Sequence, residues 1–404
     1  MILNKEQLSE EAHKSALSHD PFICRKSSNY FWRFFESDYD YLRSFVNELR
    51  EKCSSCSQPS EEWLLDNAEF LEEQAVDIKN ESSKKLLNKL PHLSNENQSR
   101  VFTICQNYIN HTDGNLNIDS FITYVRSYQD VSVLKIAEIW AIPLLMRCAL
   151  ICHLSKIMKT IKERHDTCKT VEKLLAKFDG DKITPEGMKQ ALEDSGQEMP
   201  LSGSMIVHLI KHLRERADYT TTVSEWLMCK LENGPDSLDQ ILSYEYQVQA
   251  YYQLTTGNII GSLRKISRWD WQEVFSQISI VEQTFCKENF EFYSHLDYSS
   301  CNIIRTRVEI LARRMNLPEN LIASKAVELT DHYLMEKTDD RVEDSRLASV
   351  AYYLLEPEGM KTLRQALKIC GKPRIMPETG LLKRITGTYF NTLAIFFLVT
   401  ICCF

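Results

Sequence analysis

Apolar residues recur at intervals of three and four along most of the chain. From residue 61 onward, Leu64, Ala68, Leu71, Ala75 and Ile78 form one such stripe, the spacing of a helix buried on one face. Ser60 stands where an N-cap belongs. Glu61 and Glu62 fall in the first turn, which the helix dipole makes favourable for carboxylates. The same periodicity predicts helices over 99–111, 118–128, 134–162, 170–177, 205–216, 223–232, 238–265, 271–285, 303–316, 319–337, 343–355 and 360–369. No repeat of fixed period is visible, so a solenoid is not expected.

Composition sharpens this to an all-α fold class with no sheet of more than two strands. The 404 residues include only 12 glycines and 11 prolines, about half the usual share. Sandwiches, barrels and doubly wound sheets need more turn residues than that. Hydrophobic residues at 43 % and charged residues at 26 % are globular values and exclude wholesale disorder. A net charge of −8 argues against nucleic acid as a partner, because phosphate backbones require a basic face. The 13 cysteines are scattered through apolar stretches, as at Cys105, Cys148, Cys152 and Cys229. That usage fits buried free thiols in a reducing compartment rather than a disulfide framework. The opening Met1-Ile2-Leu3-Asn4-Lys5-Glu6 lacks the layout of a signal peptide, so the bulk of the chain is expected in the cytoplasm.

Along the chain, residues 1–58 read as a polar leader around Tyr30, Phe31, Trp32, Phe34, Phe35, Tyr39, Tyr41 and Phe45. These aromatics are expected to pack on the body, since large apolar patches are seldom left in water. Residues 59–380 read as one helical domain, with a loop or small insertion over 178–204. Residues 136–154 are apolar enough to suggest a membrane span, but they contain Glu138, Arg147 and Pro143. Ionisable groups at membrane depth cost at least ~2.5 kcal/mol each, which favours a core helix kinked at Pro143. The end of the chain differs. Seven basic residues and the single acid Glu378 lie between 361 and 387, and residues 389–404 carry no charge. That run, with Tyr389, Phe396, Phe397 and Phe404, makes 388–404 the expected start of a transmembrane helix. Lys383 and Arg384 would keep its N-terminal side in the cytoplasm.

Candidate chemistry is sparse. Asp179-Gly180-Asp181 has the spacing of a metal–diphosphate pair, but a helical pattern precedes it instead of a strand. Asp113, Asn115 and Asn117 imitate the start of a calcium loop, yet Ile118 occupies its glycine position. Cys53 and Cys56 have no second pair, and His208 and His212 lack the glutamate of a zinc protease. No catalytic, cofactor or metal site is expected. Gly257 and Gly261 lie four apart on a predicted helix, where each costs about 1 kcal/mol relative to alanine. They suggest close approach by a neighbouring backbone. Tyr244, Tyr246, Tyr251 and Tyr252, on the same helix, suggest that 238–298 is the packing centre and a docking face. Phe275, Ile278, Val281 and Phe285 form the apolar stripe of the next helix.

Several segments, taken in order, resemble the cyclic β-1,2-glucan synthases. Trp63-Leu64-Leu65-Asp66-Asn67 and Phe70-Leu71-Glu72-Glu73-Gln74 are similar to that family's opening motif. Tyr128-Gln129, Ile136 through Pro143 (with Trp140), Ser279 through Gln283 (with Glu282), Tyr293 through Asp297, and Ala351 through Leu355 follow. The likeness is greatest at Thr256-Gly257-Asn258-Ile259-Ile260-Gly261-Ser262-Leu263-Arg264, and 160–204 match poorly. The resemblance implies part of a large inner-membrane enzyme that polymerises glucose from UDP-glucose on a protein-linked primer, trims the chain and cyclises it. The similar region is its cytoplasmic, helical N-terminal part, up to the first membrane helix. UDP-glucose and a divalent metal are implied for the full-length family, and its transferase motifs lie beyond Phe404. The expectation is therefore a truncated, non-catalytic fragment whose partners are the membrane and a downstream glycosyltransferase domain. Gly257, Asn258, Gly261, Arg264, Glu282 and Trp140 are its expected packing residues. The competing expectation is a stand-alone, membrane-tethered helical interaction module.

Overall fold

The computed structural model describes residues 3–23, 27–51, 59–94, 98–176, 203–214, 238–286, 293, 295–336 and 345–369. Among them the all-α expectation holds. There are sixteen α-helices and one two-stranded antiparallel ribbon, in which β1 (Pro21–Ile23) pairs with β2 (Pro91–Leu93). The chain divides into two compact units, Met1–Val274 and Phe275–Phe404.

The first unit is built around α8 (Ile136–Ala176). This helix is apolar on every side through its first half, with Ile142, Leu145, Cys148, Ile151, Leu154 and Met158 all buried. A helix hydrophobic all round must be enclosed on all sides. Here the enclosure comes from α2 (Ser27–Glu51), α4 (Ala68–Glu81), α6 (Arg100–His111), α9 (Gly203–Arg214) and α10 (Leu238–Ile266). Residues Ile136–Arg164 are long and apolar enough to cross a membrane, and 83 % of their apolar window is buried inside the protein. The helix runs unbroken to Ala176, with Pro143 inside it, where the pattern predicts separate helices over 134–162 and 170–177.

Cations on α8 fasten its neighbours. Lys159 pairs with Asp38 of α2 at 2.6 Å, Lys162 with Glu48 of α2, Arg147 with Glu81 of α4, and Arg164 with Glu245 of α10. The last pair also places Arg164 over the Tyr252 ring. Most of these side chains are partly exposed, so each pair fixes register more than it adds stability.

The described residues of the expected leader, 3–23 and 27–51, pack within this unit. Helix α1 (Lys5–Ser18) begins with a capping box at Asn4 and buries Leu8, Ala12 and Ala16. It packs on α7 (Ile118–Gln129), where the Ser9 and Ser127 hydroxyls lie 2.6 Å apart. The aromatic segment forms α2, which buries Phe35, Leu42, Phe45, Val46 and Leu49 along one stripe. Phe31 and Phe34 meet Phe102 of α6 edge-on, at 6.0 and 5.9 Å. Packing on the body is as expected. The boundary differs, because α1 and α2 cover α7 and α8 and have no core of their own.

Two of the apolar stripes that the pattern draws as continuous helices are each split into two α-helices. The stripe from 61 to 78 becomes α3 (Pro59–Asp66) and α4, separated at Asn67. Helix α3 starts at Pro59, which suits a first helical position, so Ser60 is a buried helical residue and not a cap. The stripe from 271 to 285 becomes α11 (Trp271–Ile278) and α12 (Ile280–Phe285), and the Ser279 hydroxyl caps the second by accepting from the Glu282 N–H at 3.3 Å. Helix α5 (Lys84–Leu87) is a single turn.

In the second unit, α14 (Glu319–Glu336) packs against α12, α13 (Tyr298–Met315), α15 (Val350–Leu355) and α16 (Pro357–Ile369). Ile304, Val308, Ile322, Ala326, Leu354 and Leu363 are among its buried residues. Helix α13 starts earlier than the apolar pattern, because the Asp297 carboxylate caps it by accepting from the Ser299 and Ser300 N–H groups. The predicted 343–355 helix is a 3-10 turn over Ser345–Ala348 followed by α15.

Cys105, Cys148, Cys152 and Cys301 are buried free thiols and Cys286 is an exposed one, while Cys229 lies outside the described residues. Also outside them are residues 178–202, Asp179 and Asp181, Cys53 and Cys56, the 223–232 pattern, and 388–404 with Tyr389, Phe396, Phe397 and Phe404.

Candidate functional site

The motif over 256–264 occupies the C-terminal half of α10, and it is gripped from two sides. On one side stands the turn between α6 and α7. Asp113 and Gly114 both have positive φ there, +46° and +72°, which turns backbone carbonyls outward toward α10. Asn258 Nδ2 donates to the Asp113 carbonyl at 3.2 Å, and Ser262 Oγ donates to the Gly114 carbonyl at 2.7 Å. The same Ser262 oxygen accepts from the Leu116 N–H at 2.9 Å, and Lys265 Nζ reaches Asn115 Oδ1 at 3.2 Å. Residues 258, 262 and 265 share one helix face, so the contact is a single strut. The segment whose spacing imitates a calcium loop is thus a structural turn.

On the other side is the break between α3 and α4. Arg264 Nη2 donates to Asn67 Oδ1 at 2.7 Å, and Asn67 Nδ2 donates to the Trp63 carbonyl at 2.8 Å. The Arg264 guanidinium lies 5.1 Å from the centre of the Phe70 ring. A Cβ built on Gly257 would sit 3.9 Å from the Trp63 indole, an ordinary contact. The Trp63–Phe70 motif and the 256–264 motif, almost 200 residues apart, are therefore two halves of one joint.

Among the described residues no backbone makes the close approach expected at Gly261, since a Cβ there would meet none of their atoms within 4 Å. At Gly257 the neighbour is a side chain. The tight position at this joint is Gly114, where a Cβ would fall 2.6 Å from Ile259 Cγ1. Nor is the aromatic N-terminal half of α10 the packing centre. Tyr244, Tyr246 and Tyr251 are exposed there, whereas Ile259, Ile260, Leu263 and Ile266 are buried.

The remaining expected residues lie elsewhere. Trp140 is half-buried near the start of α8, two residues after Glu138. Glu138 is fully buried and accepts from Arg100 Nε at 2.9 Å, Arg100 Nη2 at 2.5 Å and the Lys135 N–H at 3.0 Å. Arg100 is completed by Ser132 Oγ and the Val133 carbonyl. Removing one partner of so enclosed a pair strands a charge and costs about 3–5 kcal/mol. The signal for Arg100 is a lone cation heading the apolar run Val101-Phe102-Thr103-Ile104-Cys105.

In the second unit Glu282 is the centre of a similar cluster. Arg305 donates through Nε at 2.8 Å and Nη2 at 2.6 Å, and Tyr293 Oη donates at 3.1 Å. The guanidinium lies over the rings of Phe275 and Tyr298, at 4.9 and 5.5 Å. Burial, then the Glu282 charge, pushes the Tyr293 phenol well above its ordinary range. Burial alone would lower Arg305, but the Glu282 hydrogen bonds and charge outweigh it and hold the guanidinium more firmly charged. Both carboxylate oxygens are occupied, so Glu282 is placed to anchor α12 to α13 and not to move a proton.

Among the described residues, no group of His, Cys, Asp and Glu side chains is arranged to hold a metal ion. No protein-family model matches the chain. The cyclic beta-(1,2)-glucan synthase NdvB of Rhizobium meliloti (strain 1021) is 28 % identical over 306 residues, which cover 74 % of this chain and 10 % of that protein. The chain thus matches about a tenth of that relative's length. Identity of this extent supports a relation between this protein and the cyclic β-(1,2)-glucan synthases, two of whose motif-like segments meet here at one joint.

Proposed function

We propose that the chain supplies a helical, non-catalytic region of a membrane-bound cyclic β-1,2-glucan synthase. In this reading UDP-glucose and its divalent metal are handled by a glycosyltransferase domain outside these 404 residues. The run 389–404 enters the inner membrane, and the helical units face the cytoplasm. The observation that carries the reading is the joint itself. Two of the synthase-like segments, Trp63–Gln74 and Thr256–Arg264, hold each other through Arg264, Asn67 and the Trp63 indole. A joint made of amide, guanidinium and backbone contacts gives a scaffold its shape and offers no nucleophile or base.

Two measurements test the reading together. The DNA directly downstream should encode transferase motifs, in frame or after a frameshift. The purified chain, given UDP-glucose and magnesium in detergent, should release no UDP. Turnover by the chain alone, or downstream DNA without such motifs, overturns the proposal, and the second outcome favours a stand-alone interaction module.

A further inference from the structure

Between α2 and the α3–α4 pair lies a cleft of about 170 Å³, remote in sequence from the 256–264 motif. Its apolar lining comes from Leu42, Val46, Leu64 and Leu71, all buried. One wall carries Arg43, Asn47 and Arg50, at offsets of four and seven on α2 and so on one helix face, with the two arginines about 10 Å apart along the axis. Tyr39, Ala68 and Glu72 complete the lining, and burial, then the Glu72 charge, raises the Tyr39 phenol, with Arg43 opposing.

These arginines stand apart from the cations that fasten the core. Arg100, Arg147, Lys159, Lys162, Arg164 and Arg305 each lie within 4.0 Å of a carboxylate. Arg43 and Arg50 have no such partner among the described residues. The exposed side chains of Arg43, Asn47 and Arg50 thus line a cleft whose single carboxylate is that of Glu72, also exposed, in a protein of net charge −8.

We propose that this cleft binds a small phosphate-bearing ligand. The choice of phosphate follows from counting acceptors. One arginine satisfies both oxygens of a carboxylate, whereas two forks and an amide call for the additional anionic oxygens of a phosphate or diphosphate. A volume near 170 Å³ equals the share of about five or six waters, enough for such a group and a short body on the apolar lining. Glu72 opposes a second anion at the Tyr39 end, which gives the site a polarity. The cleft shares Leu64, Leu71 and Glu72 with the Trp63–Gln74 segment, but the inference uses none of the contacts of Arg264, Asn67 and Trp63 on which the synthase reading rests.

The same phosphate chemistry comes free in solution or on a lipid headgroup, and the test separates the two. Inorganic pyrophosphate titrated calorimetrically into the full chain should bind near 0.1 mM, about −5.5 kcal/mol. The double variant Arg43→Gln/Arg50→Gln should weaken that binding at least about tenfold, and Glu72→Gln should tighten it several-fold. All three side chains line an open cleft, so circular dichroism should show the fold unchanged. In flotation, a preference for phosphatidylglycerol over phosphatidylcholine vesicles that the double variant loses assigns the ligand to a headgroup. Pyrophosphate binding without that preference assigns it to a soluble molecule. Absence of both signals, or signals unchanged in the double variant, overturns the proposal.

Discussion

A methyl group added at Gly261 meets no atom of the described residues within 4 Å, whereas one added at Gly114 falls 2.6 Å from Ile259 Cγ1. Gly261 sits inside a 29-residue helix, and Gly114 sits at φ +72°. Gly261→Ala should therefore raise stability by about 0.5–1 kcal/mol, since it restricts the unfolded chain and meets nothing in the folded one. Gly114→Ala should lower stability by about 1–3 kcal/mol, through a strained backbone and overfilling against Ile259. Urea unfolding followed by far-ultraviolet circular dichroism measures both, and a destabilising Gly261→Ala would mean that some element does press on that face. Spacing alone marks Gly257 and Gly261 as costly, but which helix face turns outward depends on partners distant in sequence. Gly114 carries no mark in the sequence for the same reason, because the residue that needs its missing side chain is Ile259. Glu138 and Glu282 are visible as acids in apolar surroundings. Arg100 is visible too, as a cation heading an apolar run, but neither its pairing with Glu138 nor that of Arg305 with Glu282 is, because an ion pair between helices has no fixed spacing.

At the scale of elements, helices are legible in the sequence and their interruptions are not. Apolar periodicity reports burial, and burial continues smoothly across both breaks, from Leu64 to Leu71 and from Phe275 to Val281. What ends each helix is a polar side chain turned to a local task. Ser279 caps the next helix, and Asn67 bonds back to the Trp63 carbonyl while receiving Arg264. The joint predicts energetic coupling across its 2.7 Å contact. A double-mutant cycle on Asn67→Ala and Arg264→Ala should give an interaction energy of about 0.5–1.5 kcal/mol, the range of a charge-assisted hydrogen bond at a partly exposed site. Single variants that simply add, within about 0.3 kcal/mol, would show that the two motifs touch without supporting each other. The same cycle between Arg264 and Ser262, which grips the opposite flank through Gly114 and Leu116, should be close to additive.

At the scale of the whole molecule, two segments are apolar enough for a membrane, and their chemistry separates them. Ile136–Arg164 is enclosed by five helices, and the charged groups within its apolar stretch are matched. Glu138 is held by Arg100, and Arg147 by Glu81. Placing that segment in lipid would expose the remaining faces of a helix whose neighbours are amphipathic, and would break both of these ion pairs. The run 389–404 has no charge of its own and follows Lys383 and Arg384. Membrane attachment of the full chain should therefore depend on the terminal run alone. A variant ending at Gly387 should move from the membrane pellet to the soluble fraction after carbonate washing, and its circular dichroism should remain that of a strongly helical protein. The full chain should need detergent. If the shortened variant stays in the pellet, Ile136–Arg164 or a surface of the helical units holds it there, and the assignment of α8 as a core helix fails. If the full chain is soluble without detergent, the terminal run is buried in protein, and the inner-membrane placement in the proposed function falls with it.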